Sequence, residues 1–327
     1  EAASRALALA REAAEDDLVL VLLSGGGSAN WIAPAGALTL AEKQAVTRAM
    51  LRSGASIDEI NTVRKRLSLI KGGRPARAAW PATVLTLAVS DVPGDEPSII
   101  ASGPTVADSS TNADARAVVE RYRLALPQCA RRLLDDPAME TPKPGDPDMA
   151  RSDFRIIARP ADAIDAAARA CAALGFEPVS LGADLEGEAG LIAADHARQA
   201  LALKAAGRRT ALVSGGELTV TLRGRGRGGP NQEYALALAV ALSAEPGIAA
   251  VSGDTDGTDG GDGSPSDPAG ALIDAGTLAR ARVAGIDPAA MLADNDSTGF
   301  FEAIGDLLTP GPTLTNVIDC RVILIEP

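Results

Sequence analysis

The chain has 327 residues, a net charge of −12 and only 2% aromatic residues, a balance that argues against a basic, ring-lined nucleic-acid surface. Its length suits two domains of ordinary size, and no stretch is long and apolar enough to span a membrane. Three scattered cysteines (Cys129, Cys171, Cys320) and a single histidine, His196, argue against a disulfide framework, a zinc cluster and a Ser-His-Asp triad. They point instead to a reducing, cytoplasmic setting.

In chain order, residues 2–15 are rich in Ala, Leu, Arg and Glu and predict a helix. The unbroken apolar run 18–23 then predicts a strand buried on both faces, as in a parallel sheet. It breaks into Ser24-Gly25-Gly26-Gly27-Ser28. Glycines there let peptide N–H groups approach a ligand, and a loop at the carboxyl end of a parallel strand favours anions. A plain glycine-rich turn is the alternative.

Thr39 with Glu42, and Ser56 with Glu59, have the spacing of capping boxes. The first predicts a helix to Ser53-Gly54, the second a helix through Leu67. From Arg64 to Arg74 the chain carries Arg64, Lys65, Arg66, Lys71 and Arg74 with no acid. That reads as a phosphate clamp beside the glycine loop, against a merely solvated basic face.

Residues 83–89 predict a second buried strand, ending in Ser90-Asp91. Asp91 is placed to hold Mg²⁺ or to orient a hydroxyl, with an Asx turn as the alternative. Ser102-Gly103-Pro104-Thr105 is another tight turn able to approach a ligand. The proline- and acid-rich segment 137–148 predicts a domain boundary.

A second α/β series follows: strands at 155–158 and 177–181 and helices at 162–174 and 188–206, with His196 given no chemistry. A strand at 210–213 ends in Ser214-Gly215-Gly216-Glu217, echoing the first glycine loop. Residues 218–222 alternate as a strand, and an Arg-Gly loop leads from Arg223 to Glu233. Gly224, Gly226 and Gly229 satisfy the dinucleotide-binding spacing only by composition, so a loop holding phosphates reads better. A strand at 248–252 ends in Asp254, Asp256, Asp259 and Asp262 among glycines, which suits a hard cation. An EF-hand is excluded, because loop position twelve counted from Asp254 is Pro265. The chain closes on an apolar strand at 322–325.

Taken together, LLSGGGSA, NTVRKRLSLIKGGR, SDVPGD, ASGPTV, SGGELTV, GGPNQE, GDTDGTDG and GPTLTNV resemble the glycerate 2-kinase family, long mislabelled hydroxypyruvate reductase. The motifs occur in family order over nearly the whole chain. The resemblance implies two Rossmann-like three-layer α/β domains with the active site in the cleft between them. It divides the chain into 1–148 and 149–327, with 208–327 resembling the MOFRL domain. It implies transfer of phosphate from ATP to the 2-hydroxyl of D-glycerate, with Mg²⁺. A nucleotide and a small acid are then the partners, with no nucleic acid or membrane, and a homodimer is the assembly to test.

On this reading Lys71, Arg64 and Asp91 are the catalytic candidates. Ser24, Gly25, Gly26, Gly27, Ser28, Ser214, Gly215, Gly216, Glu217, Arg227 and Asn231 bind substrate or phosphate, and Asp91, Asp256 and Asp259 hold metal. Phosphoryl transfer needs cations, a metal and a carboxylate, and no histidine or cysteine nucleophile. Three departures from the family stand out. Relatives carry an upstream glycine–lysine segment whose lysine the resemblance implies to be catalytic, and residues 1–17 do not match it. Arg66 stands where a histidine is usual, and Pro230 where an arginine is frequent, with Arg225 and Arg227 nearby. The competing readings are an NAD(P)H-dependent hydroxypyruvate reductase and a non-enzymatic binder of phosphorylated metabolites.

Overall fold

The apolar run Leu18–Leu23 forms β1, and Thr83–Val89 forms β2 parallel to it, in a register from Leu18 opposite Thr83 to Leu23 opposite Ala88. The computed structural model describes residues 1–327, apart from the side chain of Pro93, as two units, Glu1–Ile157 and Ala158–Pro327. In the first, α1 (Ala2–Glu12) precedes β1, and α2 (Gly27–Asn30), α3 (Leu40–Ser53), α4 (Ile57–Arg66) and α5 (Arg74–Ala79) lie between β1 and β2. After β2 come α6 (Asn112–Arg121), α7 (Gln128–Asp135) and β3 (Ser152–Ala158). The sheet order is β1-β2-β3.

Both expected capping boxes are present, at Thr39–Glu42 and Ser56–Glu59, and α3 stops at Gly54 in the left-handed conformation. A core of Leu38, Val46, Met50, Ile60, Val63 and Leu67 joins α3 and α4 to α6 and α7. Two expectations are corrected here. β1 is not buried on both faces, for Leu18, Leu20 and Leu22 are 60%, 52% and 70% exposed. Val19 and Val21 alone pack under the small residues of α1 and α5. The boundary expected at 137–148 lies later, because 152–157 is the third strand of the first sheet.

The second unit contains α8 (Pro160–Ala173), β4 (Glu177–Ser180), β5 (Gly187–Glu188), α9 (Ala189–Ala205), β6 (Thr210–Ser214), β7 (Leu218–Thr219), α10 (Pro230–Leu242) and β8 (Ile248–Asp254). It continues through β9 (Gly270–Ile273), α11 (Thr277–Val283), α12 (Pro288–Ala293), α13 (Ser297–Ile304), β10 (Leu307–Leu308) and β11 (Asp319–Ile325). The α/β class is as expected, but this sheet is mixed. Its order is β10-β9-β8-β11-β6-β4, with β4 parallel to β6 and β11 antiparallel to both β6 and β8. The apolar α10 packs on α9 in the core of this unit, which explains its all-round hydrophobicity.

Candidate active site

The carboxyl ends of β1 and β2 lie side by side. At the end of β1, Gly26 turns the chain at φ +76° and α2 begins at Gly27. A Cβ at Gly27 would stand 3.0 Å from the Ala101 Cβ, so the loop is seated closely on the segment after β2. That segment is itself strained. Ala101, Ser102 and Gly103 have φ of +51°, +64° and +58°, a conformation that non-glycine residues keep only when their surroundings impose it. The Gly72 N–H donates to Ser102 O (3.0 Å) and the Gly73 N–H to Gly103 O (2.8 Å), which imposes it here.

Two cations converge on Ser28. The last turn of α4 presents Arg64, whose Nη2 donates to Ser28 O (3.1 Å) and Ser28 Oγ (3.0 Å), while Nη1 donates to Asn61 Oδ1 (3.4 Å). Lys71 Nζ donates to Ser28 O (2.9 Å), Ser28 Oγ (3.1 Å) and Ser102 Oγ (3.3 Å). The Ser28 and Ser102 hydroxyls share a hydrogen bond of 2.7 Å. Lys71 does not reach this point along a continuous helix. α4 ends at Arg66, and residues 67–70 run back along 33–35, with Leu69 N–H donating to Ala33 O.

Every acceptor around Arg64 and Lys71 is neutral, and among the described residues neither has a carboxylate partner. Lys71 is 1% exposed. Burial, helped by the charges of Arg64, Lys43 and Lys65, pulls its ammonium down to about 7. Burial also lowers Arg64. Lys43, on α3, is pulled down to about 8 by burial and by Arg64. The other basic residues of this stretch have structural work. Lys65 pairs with Asp108 at 3.1 Å, and Arg66 with Asp108 at 2.6 Å and Glu140 at 3.0 Å. Asp91, half-buried past the end of β2, shares that sheet edge with Ser24 but has no hydrogen bond or ion pair to the Arg64–Lys71 cluster.

In the second unit several expected ligand residues are committed elsewhere. Asp259 accepts from Asn231 N–H (2.9 Å) and Gln232 N–H (2.8 Å), and from both amide side chains. It caps α10 from another loop, so its lone pairs are drawn away from the metal role expected of it. Burial still holds it up at about 6. Asn231 donates to Asp319 Oδ1 (2.7 Å) and accepts from Ser252 Oγ (2.7 Å), which fills its side chain without a substrate.

The Ser214–Glu217 turn is likewise held from within. Gly215 N–H donates to Gly182 O, and Arg321 donates to the carbonyls of Gly215 (2.8 Å) and Gly216 (2.6 Å). Glu217 is exposed. Arg227 is exposed too, and pairs with Glu302 at 2.7 Å. A Cβ at Gly224, Gly226 or Gly229 would stand 2.3 Å from Asp294, Asp296 or Asp259 respectively. Those glycines serve close packing, so the expected phosphate-holding role of this loop has no cation cluster behind it.

Among the described residues no group of three or more His, Cys, Asp or Glu is placed to hold a metal. The donor set that fits a divalent cation best is a pair. Asp254 Oδ1 accepts from Asp256 N–H (2.9 Å), and Asp256 Oδ1 from Thr258 N–H (2.8 Å). The two carboxylates are close enough to share a side-chain interaction that helps to raise Asp254. Burial, then the neighbouring Asp256 and Asp319 charges, push Asp254 up to about 7. Two neighbouring carboxylates suit Mg²⁺, which completes its shell with phosphate and water. The loop is tied to the GPTLTNV turn by Thr313 N–H to Asp256 O and by Thr255 Oγ1 to Ile318 O.

Sequence reasoning missed Asn61 and Lys43 as site residues, and reached Ser102 only as part of a turn able to approach a ligand and Asp254 only as one of four aspartates suited to a hard cation. ASGPTV and GDTDGTDG flagged Ser102 and Asp254 as neighbourhoods. Nothing local marks Lys43, whose relation to Arg64 is set by helix packing.

A strained turn, a glycine loop and two uncompensated cations define an α/β protein built to receive an anion at the carboxyl edge of a parallel strand pair. Comparison with known proteins narrows this. Residues 1–135 match the model for a domain of unknown function (DUF4147), and residues 210–319 match the MOFRL family. An Agrobacterium vitis protein provisionally named hydroxypyruvate reductase is 50% identical over 99% of this chain and 74% of its own length. The D-glycerate 2-kinase of Thermotoga maritima is 40% identical over 98% of this chain and 75% of its own. A crystal structure of glycerate kinase from Thermotoga maritima superposes with a TM-score of 0.90 at 40% identity, covering 99% of this chain and 77% of that one. The chain belongs to the glycerate 2-kinase family.

Proposed function

We propose that this protein transfers the γ-phosphoryl group of ATP to the 2-hydroxyl of D-glycerate. The observation that carries the reading is the convergence of Arg64 and Lys71 on Ser28 with no carboxylate between them. Buried cations without counter-ions cost stability, and a site that keeps them is shaped for an anionic ligand. In the reaction a bond forms from the glycerate 2-oxygen to the γ-phosphorus, the bond from that phosphorus to the β–γ bridging oxygen breaks to release ADP, and the hydroxyl proton passes to solvent. Lys71 and Arg64 offset the charge on the transferring group and on the acid, and the N–H groups of the Gly25–Gly27 loop approach the same anion. Asp91, on the same sheet edge, is kept as the carboxylate that orients the acceptor hydroxyl. Asp254 and Asp256 would hold Mg²⁺, which when bound supplies charge neutralisation on the nucleotide phosphates.

The reductase name borne by one relative gives the second reading its standing. It is disfavoured here because Gly224, Gly226 and Gly229 are packed against protein and leave no room for a pyrophosphate. One assay pair separates the readings: ADP release from D-glycerate with Mg·ATP, and NADH consumption with hydroxypyruvate. ADP release without NADH consumption is expected, and the reverse pattern overturns the kinase reading.

A further inference from the structure

We propose that a small cavity lined by α2, α3 and α4 is a carboxylate-binding subsite, in which Lys43 and Arg64 together take the acid group of the hydroxy acid. This rests on the kinase reading above and extends it to the question of where the substrate acid lies. Lys43 is only 6% exposed, yet its Nζ has no hydrogen-bond partner. An ammonium so placed is costly unless something anionic completes it. The residue cannot withdraw to water by a shift of α3. The helix is pinned at its start by the Thr39–Glu42 box and along its length by Val46 and Met50 in the core.

Lys43 lines a cavity of about 250 Å³ with Ser28, Ile32, Thr47, Arg48 and Arg64, and no carboxylate borders it. Pockets for drug-sized ligands run to roughly 300–1,000 Å³, so this one suits a three-carbon acid and is too small for a nucleotide. The larger groove of about 630 Å³ along β1 meets the glycine loop but is lined without a single charged side chain. Of the three cations bordering this volume, Lys43 is buried, Arg64 half-buried and Arg48 exposed, so a carboxylate seated in it meets Lys43 and Arg64 away from bulk water. Ser28 borders that volume while also receiving Lys71, which leaves Lys71 on the side where the phosphoryl group arrives.

The test is D-glycerate binding to the full protein by calorimetry without nucleotide, together with steady-state kinetics, for wild type, Lys43→Met and Lys43→Gln. Both variants are expected to bind D-glycerate about ten- to a hundredfold more weakly, the loss of one charge-assisted hydrogen bond. The KM for glycerate rises in proportion, while kcat and the KM for ATP hold. Glyceramide, which lacks the acid charge, binds wild type and variants alike. Lys43→Met melts higher than wild type, because a buried unpaired charge is gone; a structural lysine would melt lower. Unchanged glycerate affinity in both variants, with wild type active, overturns the subsite and leaves the kinase reading intact. A shift in the KM for ATP instead would assign Lys43 to the nucleotide and overturn the subsite. A wild-type protein that neither binds nor phosphorylates glycerate overturns both.

Discussion

Lys71 holds its charge at a cost, and that cost has a sign. Its folded-state value of about 7 lies below the ordinary 10.5, so between those limits the unfolded chain binds more protons than the folded one. Stability attributable to Lys71 therefore rises as pH climbs from about 7 towards 10.5 and is least below pH 7. Lys71→Met should flatten that rise in thermal melts run across the window. Binding an anion beside Lys71 reverses the penalty. At pH 8 inorganic phosphate should bind with uptake of protons, read as a dependence of calorimetric enthalpy on the buffer. Absence of proton uptake would mean that the anion sits elsewhere.

The same residue should dominate the kinetics. Lys71→Ala is expected to lower kcat by about a hundredfold or more, with the KM for glycerate little changed, if its charge acts mainly in the transition state. Lys71→Arg should restore little, because the three acceptors from Ser28 and Ser102 surround a compact ammonium. A full kcat in Lys71→Ala would remove it from the mechanism.

At the scale of elements, much was legible because its cause is local. The Thr39–Glu42 and Ser56–Glu59 spacings specify helix starts by reciprocal hydrogen bonds within four residues, and both form. The apolar runs specify strands, and β1 and β2 fall where expected. Which faces are covered, and which strands pair, depend on partners far along the chain. Hence the exposed leucines of β1, the transfer of β3 to the first sheet and the antiparallel β11 were not readable. The site divides along the same line. Arg64 and Lys71 were visible as basic residues beside a glycine loop, whereas their acceptors on Ser102 and Asn61 come from separate segments.

Asp259 shows how composition misleads at this scale. An aspartate among glycines suggests a cation, but this one caps α10 from another loop. Asp259→Ala should therefore destabilise the protein by roughly 2–4 kcal/mol, through a lost cap and buried N–H groups left unpaired. Thermal or urea denaturation checks this. Asp256→Asn should instead leave the melting temperature nearly unchanged and raise the Mg²⁺ concentration needed for half-maximal rate, because the one backbone N–H that Asp256 accepts, from Thr258, can still be accepted by an amide oxygen. If the two variants behave alike, the division of the loop into a capping and a metal-holding aspartate is wrong.

At the scale of the whole molecule, each unit serves a distinct charge. The first gathers cations that lack anions at the edge of a parallel strand pair. The second gathers carboxylates at the end of β8, where burial keeps Asp254 up near 7. Buried cations with no carboxylate partner among the described residues are what phosphoryl transfer to an anionic acid calls for in the first unit. The central claim is best tested by phosphorus NMR of D-glycerate and Mg·ATP incubated with the native protein. Loss of the γ-phosphate signal with growth of ADP and 2-phosphoglycerate is the predicted result; intact ATP, or phosphate on the 3-position, would contradict it.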